Sequence, residues 1–460
     1  MKNQSIIFMP HANIQYSQLR PERRAWVMHH CYEALFDLVD QKGYRIAFEA
    51  SGKTVDELAA QAPSVLQKMN ALIRAGQLEP VSSPYIHFMM SNVPPEIGLH
   101  SLRRARDTWE RHTGVRPTVG WNPECGWASY IPELYKEAGF ETLVMDADSL
   151  FLSFPEIREA TGLAYDVQGH SNKNELFRIE EYISGKPEYL KYLTNPSVAP
   201  NGLKMLFRSD FLANPLLWYL MGATEGNRAQ PVQLDEVRAL FARWHQAVEE
   251  TGSFLMPYAE DAEYIGSSAY FYVKQFNEAR FFEPEPESVS RFAEIADSAL
   301  AAGYTMALPS EVIADAKTEI PNSDIFRIDN GAAWHGGTAK AWTNTSYSRI
   351  MDPVCLWMLQ GLQSILRTPA SGGEAEAEEA MCLLESAWVS DARWPPEPTS
   401  PGRFNVREAL DDLYAANRLI GKCMEKRALG QNRSLYSPQL METQLRTIEQ
   451  ELMARKYFGE

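Results

Sequence analysis

From residue 5 to about residue 320, short apolar runs alternate with longer amphipathic stretches. Apolar runs of this length between helical stretches are typical of βα units around a parallel sheet. Eight runs predict strands: SIIFMP (5–10), YRIAFEAS (44–51), LEPVSSP (78–84), PTVGWNP (117–123), ETLVMDAD (141–148), KMLFRSD (204–210), GSFLMPYAED (252–261) and YTMALPS (304–310). Eight predicted strands favour a barrel or a near-barrel.

Helical periodicity fills the intervals between these runs. The stretches 54–76 and 97–114 each end in a glycine, a common helix stop, and 234–252 leads directly into a predicted strand. The polar stretch 166–203 predicts a long insertion between strands. Insertions of this kind usually shape the cleft of a barrel.

The βα alternation stops after about residue 343, and the remaining sequence is mainly helical in pattern. We therefore predict an α/β fold with a (β/α) barrel over 1–342, an insertion near 166–203, and a helical domain over 343–460 that completes the cleft. The last helix, METQLRTIEQELMARKYF, is amphipathic and suits packing on the barrel or on a second subunit, so a homo-oligomer stays open.

Charge and cysteine content exclude several classes of partner. The chain has 60 acidic and 44 basic residues and a net charge of -16, which disfavours nucleic acid and anionic membranes as partners. Its five cysteines are scattered without CxxC spacing, so we expect neither a disulfide framework nor a zinc site of that type. We predict no signal peptide and no membrane span, and we expect a cytoplasmic location.

Polar residues cluster where the predicted strands end. In parallel barrels these positions face the catalytic mouth. They are His11 and Asn13, Glu49, His87, Trp121 and Glu124, Asp146 and Asp148, Arg208 and Asp210, and Glu260, Asp261 and Glu263. The prediction is an acidic mouth with two histidines.

Each of these residues also has a structural explanation. Glu124 follows a proline and could be a favourable charge at a helix start, and His11 and His87 could be buried histidines bonded to the backbone. Their joint placement at one end of a barrel favours function. Two carboxylates from different strands are typical of glycosidic bond chemistry, and Trp121 and Trp127 offer flat surfaces on which sugar rings stack.

Five motifs in this order resemble glycoside hydrolase family 57: HAN (11–13), PYIHFMMSNVP (84–94), GWNPECGW (120–127), AEDAEYIG (259–266) and ESAWVSDARWP (385–395). The third and fourth motifs are the specific ones. The resemblance implies an incomplete seven-stranded (β/α) barrel followed by helices. It also implies action on α-linked glucans with retention of configuration and without a metal or other cofactor.

Carried over by position, the resemblance implies Glu124 as the nucleophile and Asp261 as the general acid/base. His11 and His87 match histidines that line a sugar subsite, and we predict substrate contacts for a further set: Asn13, Trp121, Arg208, Asp210, Glu263, Trp334, His335, Trp388, Asp391 and Trp394. The first motif departs from the usual HQP, and Ala262 and Ile265 depart from the fourth. These departures affect substrate assignment more than mechanism.

Two other classes of protein stay open. A metal-dependent barrel, such as a polysaccharide deacetylase or an α-mannosidase, would place His and Asp ligands at the strand ends, but the first strand offers His11-Ala12-Asn13 where an HxD pair is wanted. A glycan-binding protein without turnover would keep the barrel alone. The sequence also leaves open the sugar, the linkage and the balance between hydrolysis and transfer.

Overall fold

The computed structural model describes residues 4–16, 19–164, 172–222, 230–268, 283–343, 345–393, 402–430, 432 and 434–459. All eight predicted strands are confirmed. They are β1 (Gln4–Phe8), β2 (Ile46–Ala50), β3 (Leu78–Ser82), β4 (Val119–Trp121), β5 (Thr142–Asp146), β6 (Lys204–Arg208), β7 (Phe254–Tyr258) and β8 (Tyr304–Met306).

The first seven strands form an incomplete parallel barrel, which confirms the predicted fold. The short strand His11–Ala12 continues β1 and pairs with β2, and β2 to β6 then pair in chain order. On its other side β1 pairs with β7, while β8 pairs with the start of β1. The described residues of β6 and β7 lie in contact without a ladder of backbone hydrogen bonds.

Alternate strand residues build two separate cores because successive side chains of a strand point to opposite faces. One set fills the inside of the barrel: Ile7, Met9, Ala47, Val81, Val119, Val144, Leu206, Phe254 and Met256. The neighbouring positions, such as Ile6, Phe8 and Phe48, pack against the surrounding helices. A filled interior leaves the strand ends as the place for a cleft.

Helices cover the outside of the barrel. They are Arg24–Val27, a π-helix over Met28–Tyr32, Glu33–Lys42, Gly52–Gln61, Pro63–Arg74, Pro95–Thr113, Ile131–Glu137, Ala147–Leu152, Pro155–Thr161, Phe177–Ile183, Pro187–Thr194, Asp210–Met221, Leu234–Thr251, Pro286–Ala301, Pro309–Asp315 and Lys340–Thr343. The predicted helical stretch 54–76 is two helices, because Pro63 has no N–H to continue the first helix and instead begins the second. Within the predicted insertion 166–203, residues 165–171 lie outside the described ones and the rest is largely helical.

Four further helices follow the barrel, at Ser346–Leu366, Glu374–Ser386, Phe404–Lys426 and Pro438–Ala454, as the sequence predicts. Polar contacts join the helix Phe404–Lys426 to the segment after β1. Arg24 donates to both carboxylate oxygens of Glu408 at 2.8 and 2.6 Å, and the Asn405 amide donates to the Gln15 carbonyl oxygen at 2.7 Å. The boundary at residues 342 and 343 stays a prediction.

None of the described helices combines the length and the apolar character needed to cross a membrane. The five cysteines all lie within the described residues and are unpaired.

Candidate active site

Glu124 lies in a strained turn directly after β4. The turn is a single 3-10 segment, Pro123–Cys125, in which Glu124 and Cys125 have φ angles of 55° and 48°. This left-handed conformation costs an L-residue roughly 1–2 kcal/mol, and such strain concentrates at functional sites. The Glu124 side chain keeps 19% of its surface exposed.

The loop after Gly331 holds this turn in place. Trp334 donates its backbone N–H to the Glu124 carbonyl oxygen at 2.7 Å. The backbone N–H of Trp127 donates to the Ala332 carbonyl oxygen, also at 2.7 Å. Beneath the strand, the ring of Tyr135 occupies the space that a Cβ on Gly120 would need, at 2.5 Å, and its hydroxyl donates to the Trp121 carbonyl oxygen. Gly120, the first residue of GWNPECGW, therefore leaves room for the Tyr135 ring to support the strand that presents Glu124.

Two histidines connect Glu124 with Asp261. The His11 and His87 rings lie with their centroids 5.2 Å apart. His87 Nδ1 is 3.9 Å from Glu124 Oε1, and His11 Nε2 is 3.8 Å from Asp261 Oδ1. The fold therefore brings the two predicted catalytic carboxylates to one pair of imidazoles.

The two imidazoles differ in charge. Burial disfavours the charged form of His11, but Glu49, Asp261 and Glu263 outweigh it and raise the pKa of His11 to about 10. Glu49 contacts His11 Nδ1 directly. Burial and then the charge of His11 lower the pKa of His87 well below its ordinary value. At neutral pH the pair is one cation beside one neutral ring.

Asp261 follows β7 and pairs through its backbone with His11. The Tyr16 hydroxyl donates to Asp261 Oδ2. The Asp261 side chain keeps 15% of its surface exposed, so solvent or a substrate can reach it. Glu124 and Asp261 are thus both oriented by the protein and both accessible.

The fifth motif supplies a third carboxylate to the same place. Asn13 donates its amide to Asp391 Oδ2 at 3.1 Å, and that oxygen is 4.0 Å from His87 Nδ1. Ser390 fixes His87 further, since its backbone N–H donates to the His87 carbonyl oxygen at 2.9 Å. Residues of the fifth motif therefore lie beside the His11–His87 pair, and the completion of a cleft by the helical domain stays a prediction.

Glu263 is a buried carboxylate beside Asp261. Its Oε1 accepts the Asn13 backbone N–H at 2.8 Å and the Tyr32 hydroxyl. Burial and then the charge of Asp261 raise the pKa of Glu263 to about 7.

Several buried polar atoms around the histidine pair have no hydrogen-bond partner within the described part of the chain. They are Glu49 Oε1, His87 Nε2, Trp121 Nε1 and Glu263 Oε2. Buried polar atoms are nearly always paired in folded proteins, so a group of four that are not is typical of a site that binds a polar ligand.

A buried charge network lies behind the carboxylate pair. Arg208 is fully buried and donates to Asp210 at 2.5 Å, to Asp146 at 3.3 Å and to Glu260. Arg208 counters burial and lowers the pKa of Asp210, whereas burial raises the pKa of Glu260 to about 8 and that of Asp146 to about 6.

This network reaches the Glu124 turn through Trp334. Asp210 accepts the Trp334 indole N–H at 2.7 Å and both the backbone N–H and Nδ1 of His335 at 3.0 Å. Burial outweighs Asp210 and lowers the pKa of His335 to about 4. Substrate contacts by Arg208, Asp210, Trp334 and His335 stay predictions.

Ligand atoms of Asp146, Asp148 and Asp210 lie within 4.8 Å of one another, as in a cation site. Asp148 accepts the Ser209 hydroxyl at 2.6 Å and the Asp210 N–H at 2.7 Å. Because Arg208 donates to the other two carboxylates, the protein itself supplies a cation to this group.

The predicted tryptophan contacts occupy different places. The Trp121 ring is buried 5.8 Å from the His11 ring and 6.0 Å from the Trp334 ring. Trp388 is buried in the main core, with the Arg393 guanidinium 5.2 Å from its ring. Trp394 lies outside the described residues. Their contacts with substrate stay predictions.

Some residues that contact the site were not predicted, and others were predicted without their partners. Glu49 and Glu260 stand at strand ends and could be grouped with the others by position, but their partners His11 and Arg208 could not be foreseen. Tyr16, Tyr32 and Ser390 carry no chemical pattern of their own. The only signal for Ser390 is that it lies within the fifth motif.

The protein-family model described as glycosyl hydrolase family 57 matches residues 7–319. The chain belongs to glycosyl hydrolase family 57. The match spans more than half of the chain and confirms the resemblance seen in the five motifs.

The solved structures agree with the family 57 fold over nearly the whole chain. The branching enzyme of Pyrococcus horikoshii matches with a TM-score of 0.60 at 12% identity, covering 96% of this chain and 95% of that one. The 4-alpha-glucanotransferase of Thermococcus litoralis matches with a TM-score of 0.57 at 14% identity, covering 91% of this chain and 60% of that one.

A curated relative in sequence is the alpha-amylase of Pyrococcus furiosus, 22% identical over 161 residues. The matched segment covers 34% of this family 57 chain and 24% of that amylase. The chain thus matches only about a quarter of the length of this relative.

Proposed function

We propose that this protein is a retaining enzyme that cleaves or transfers α-linked glycans, with Glu124 as the nucleophile and Asp261 as the general acid/base. The convergence of these two accessible carboxylates on the His11–His87 pair carries the proposal. Two carboxylates on either side of one sugar-binding gap are what glycosidic bond chemistry needs.

In the first step, Glu124 attacks the anomeric carbon and the bond to the leaving oxygen breaks. Asp261 gives its proton to that oxygen, so the leaving sugar departs as a neutral alcohol. A glycosyl ester on Glu124 results. A retaining enzyme of this type needs the two carboxyl groups about 5–5.5 Å apart.

In the second step, Asp261 removes a proton from the incoming hydroxyl, whose oxygen attacks the anomeric carbon and releases Glu124. Water as the acceptor gives hydrolysis, and a sugar hydroxyl gives transfer. Two inversions at one carbon restore the α configuration. The identity of the acceptor decides the reaction class, and the products report it directly.

The surrounding residues suit this sequence of charges. Protonated His11 lies beside Asp261 and stabilises the carboxylate that remains once Asp261 has given its proton to the leaving oxygen. Neutral His87 and Trp121 offer buried nitrogen atoms to sugar hydroxyls. The strained turn fixes Glu124 at its place of attack, so less ordering is needed when substrate binds.

We propose α-glucan as the substrate class. The similar proteins are described as an alpha-amylase, a branching enzyme and a 4-alpha-glucanotransferase. The cytoplasmic location and a homo-oligomer also stay proposals, based on cysteine spacing and on the amphipathic last helix.

The metal-dependent alternative has weaker support from the donor atoms. At the end of the first strand, the Asn13 amide is engaged as a donor to Asp391, and His11 Nδ1 is bound to Glu49. The three aspartates that could hold a cation already surround Arg208. A binding protein without turnover would have no need for two oriented and accessible carboxylates.

The test is a panel of α-linked oligosaccharides incubated with the full-length protein, followed by chromatography and by NMR of the anomeric proton. Shortened products with initial α configuration are expected from a hydrolase, and lengthened products from a transferase. Products with inverted configuration would refute the double displacement. Cleavage that persists in Glu124→Gln would refute the assignment of the nucleophile.

A further inference from the structure

His100, Glu378 and Cys382 are side chains of types that bind metals, and they meet where the barrel contacts the helical region. His100 belongs to the barrel helix Pro95–Thr113, and Glu378 and Cys382 belong to the helix Glu374–Ser386. One ligand atom from each of the three lies within 4.8 Å of the other two. None of the three belongs to the cleft described above.

The helix geometry explains why these side chains meet. Glu378 and Cys382 are four residues apart and therefore share one face of their helix. His100 faces them across the helix contact, with Nε2 3.0 Å from Glu378 Oε1. A nitrogen, a sulfur and a carboxylate oxygen are thus close enough to one another to share one ion.

His100 is also held in the orientation of a metal ligand. Its Nδ1 lies 2.7 Å from Oε2 of Glu385, a fully buried carboxylate whose Oε1 accepts the Ser101 hydroxyl at 2.7 Å. Metal-binding histidines almost always donate their second N–H to such a carboxylate, which fixes the ring and leaves the other nitrogen for the metal.

We propose that His100, Glu378 and Cys382 bind a divalent transition metal of the zinc class, with Glu385 orienting His100. A sulfur, nitrogen and oxygen donor set suits Zn²⁺, which takes four ligands, and water would supply the fourth. The metal would clamp the barrel to the helical region, in a role separate from catalysis.

The charges at this position balance when a dication binds. Glu378, Glu385 and the thiolate of Cys382 carry three negative charges, and Arg104, whose Nη1 is 3.6 Å from Glu385 Oε1, carries one positive charge. A dication completes neutrality when two protons leave for solvent, that of the Cys382 thiol and the one that His100 Nε2 shares with Glu378. Because bonds of about 2.0–2.3 Å require the ligand atoms to draw together, the 71% exposure of Glu378 gives it room to move.

The experiment uses the full-length protein freed of metal by a chelator and then titrated with Zn²⁺ or Co²⁺. We expect about one equivalent to bind, a rise in the thermal midpoint that grows with zinc concentration, and a sulfur-to-cobalt charge-transfer band. Cys382→Ser should lose the band, and His100→Gln and Glu378→Gln should lose most of the thermal shift.

His29→Gln is the matched control, because His29 and Glu33 form an exposed pair at 2.8 Å without a cysteine. It should keep both signals. The thermal midpoint of each metal-free variant shows whether it folds. If Cys382→Ser folds poorly, Glu378→Gln still tests the proposal, because Glu378 is exposed. A cobalt spectrum without the sulfur band, or an equal zinc shift in all the variants, overturns the proposal.

Discussion

His11 and His87 lie with their rings 5.2 Å apart, and the protein holds them in opposite states of protonation. Glu49 and its neighbouring carboxylates overcome burial to raise the pKa of His11 to about 10, while burial and His11 lower that of His87. The cationic His11 offsets the charge of the carboxylates around it. The neutral ring of His87 remains able to form a hydrogen bond with a ligand.

The charge of His11 predicts a pH dependence of stability. Folding raises its pKa from 6.5 to about 10, so the stabilisation is complete below pH 6.5 and is lost as the pH rises through about 10. We expect His11→Gln to lower the free energy of unfolding, with a difference from wild type that shrinks across this range. Urea unfolding at several pH values measures it, with His29→Gln as the control. A difference independent of pH would contradict the assigned charge.

The roles of the two carboxylates predict different products on chemical rescue. In Glu124→Gly, added azide attacks the anomeric carbon in a single displacement and gives a β-glycosyl azide. Glycine is chosen because it adopts the φ of 55° at this position without strain. With Asp261→Gly, azide intercepts the glycosyl-enzyme and gives the α-azide. Each variant should lose activity at least about a thousandfold without azide. NMR of the glycosyl azides distinguishes the two roles. An α-azide from Glu124→Gly would make Glu124 the acid/base and Asp261 the nucleophile.

Arg208 predicts a large effect on stability. Arg208→Met leaves Asp146, Asp210 and Glu260 buried without their cation, and we expect a loss of roughly 3–5 kcal/mol in the free energy of unfolding. The matched control is Arg103→Met. Arg103 is about half-exposed and pairs with Glu137 at the surface, so its loss should cost about 1 kcal/mol or less. Equal effects in urea unfolding would contradict the role of the buried network.

Trp334 predicts a kinetic effect. Trp334→Phe removes the N–H that donates to Asp210 and loosens the loop that holds the Glu124 turn, so kcat should fall roughly 10- to 100-fold. KM should change less, because the ring surface remains. The control is Trp244→Phe, which also removes an indole N–H bonded to a carboxylate, that of Glu180 at 2.9 Å. A change confined to KM would indicate direct substrate binding instead.

The local pattern of the chain was enough for the strands and most helices. Eight apolar runs gave eight strands, because a buried parallel strand needs little more than a short apolar segment between turns. The stretch 54–76 is an exception among the predicted helices. Helical periodicity continues through residues 54–76, but the missing N–H of Pro63 divides the stretch in two.

The sequence by itself determined the barrel, the strand-end positions of the site residues and the family, because strand periodicity, turn chemistry and short motifs are local properties. Only the tertiary structure decided which groups meet: His11 with Glu49, Tyr16 with Asp261, Asn13 with Asp391, and Arg208 with Glu260. These partners come from different strands and loops, and burial removes the water that would otherwise screen them. Charge and protonation in the cleft therefore follow from packing that no local pattern encodes.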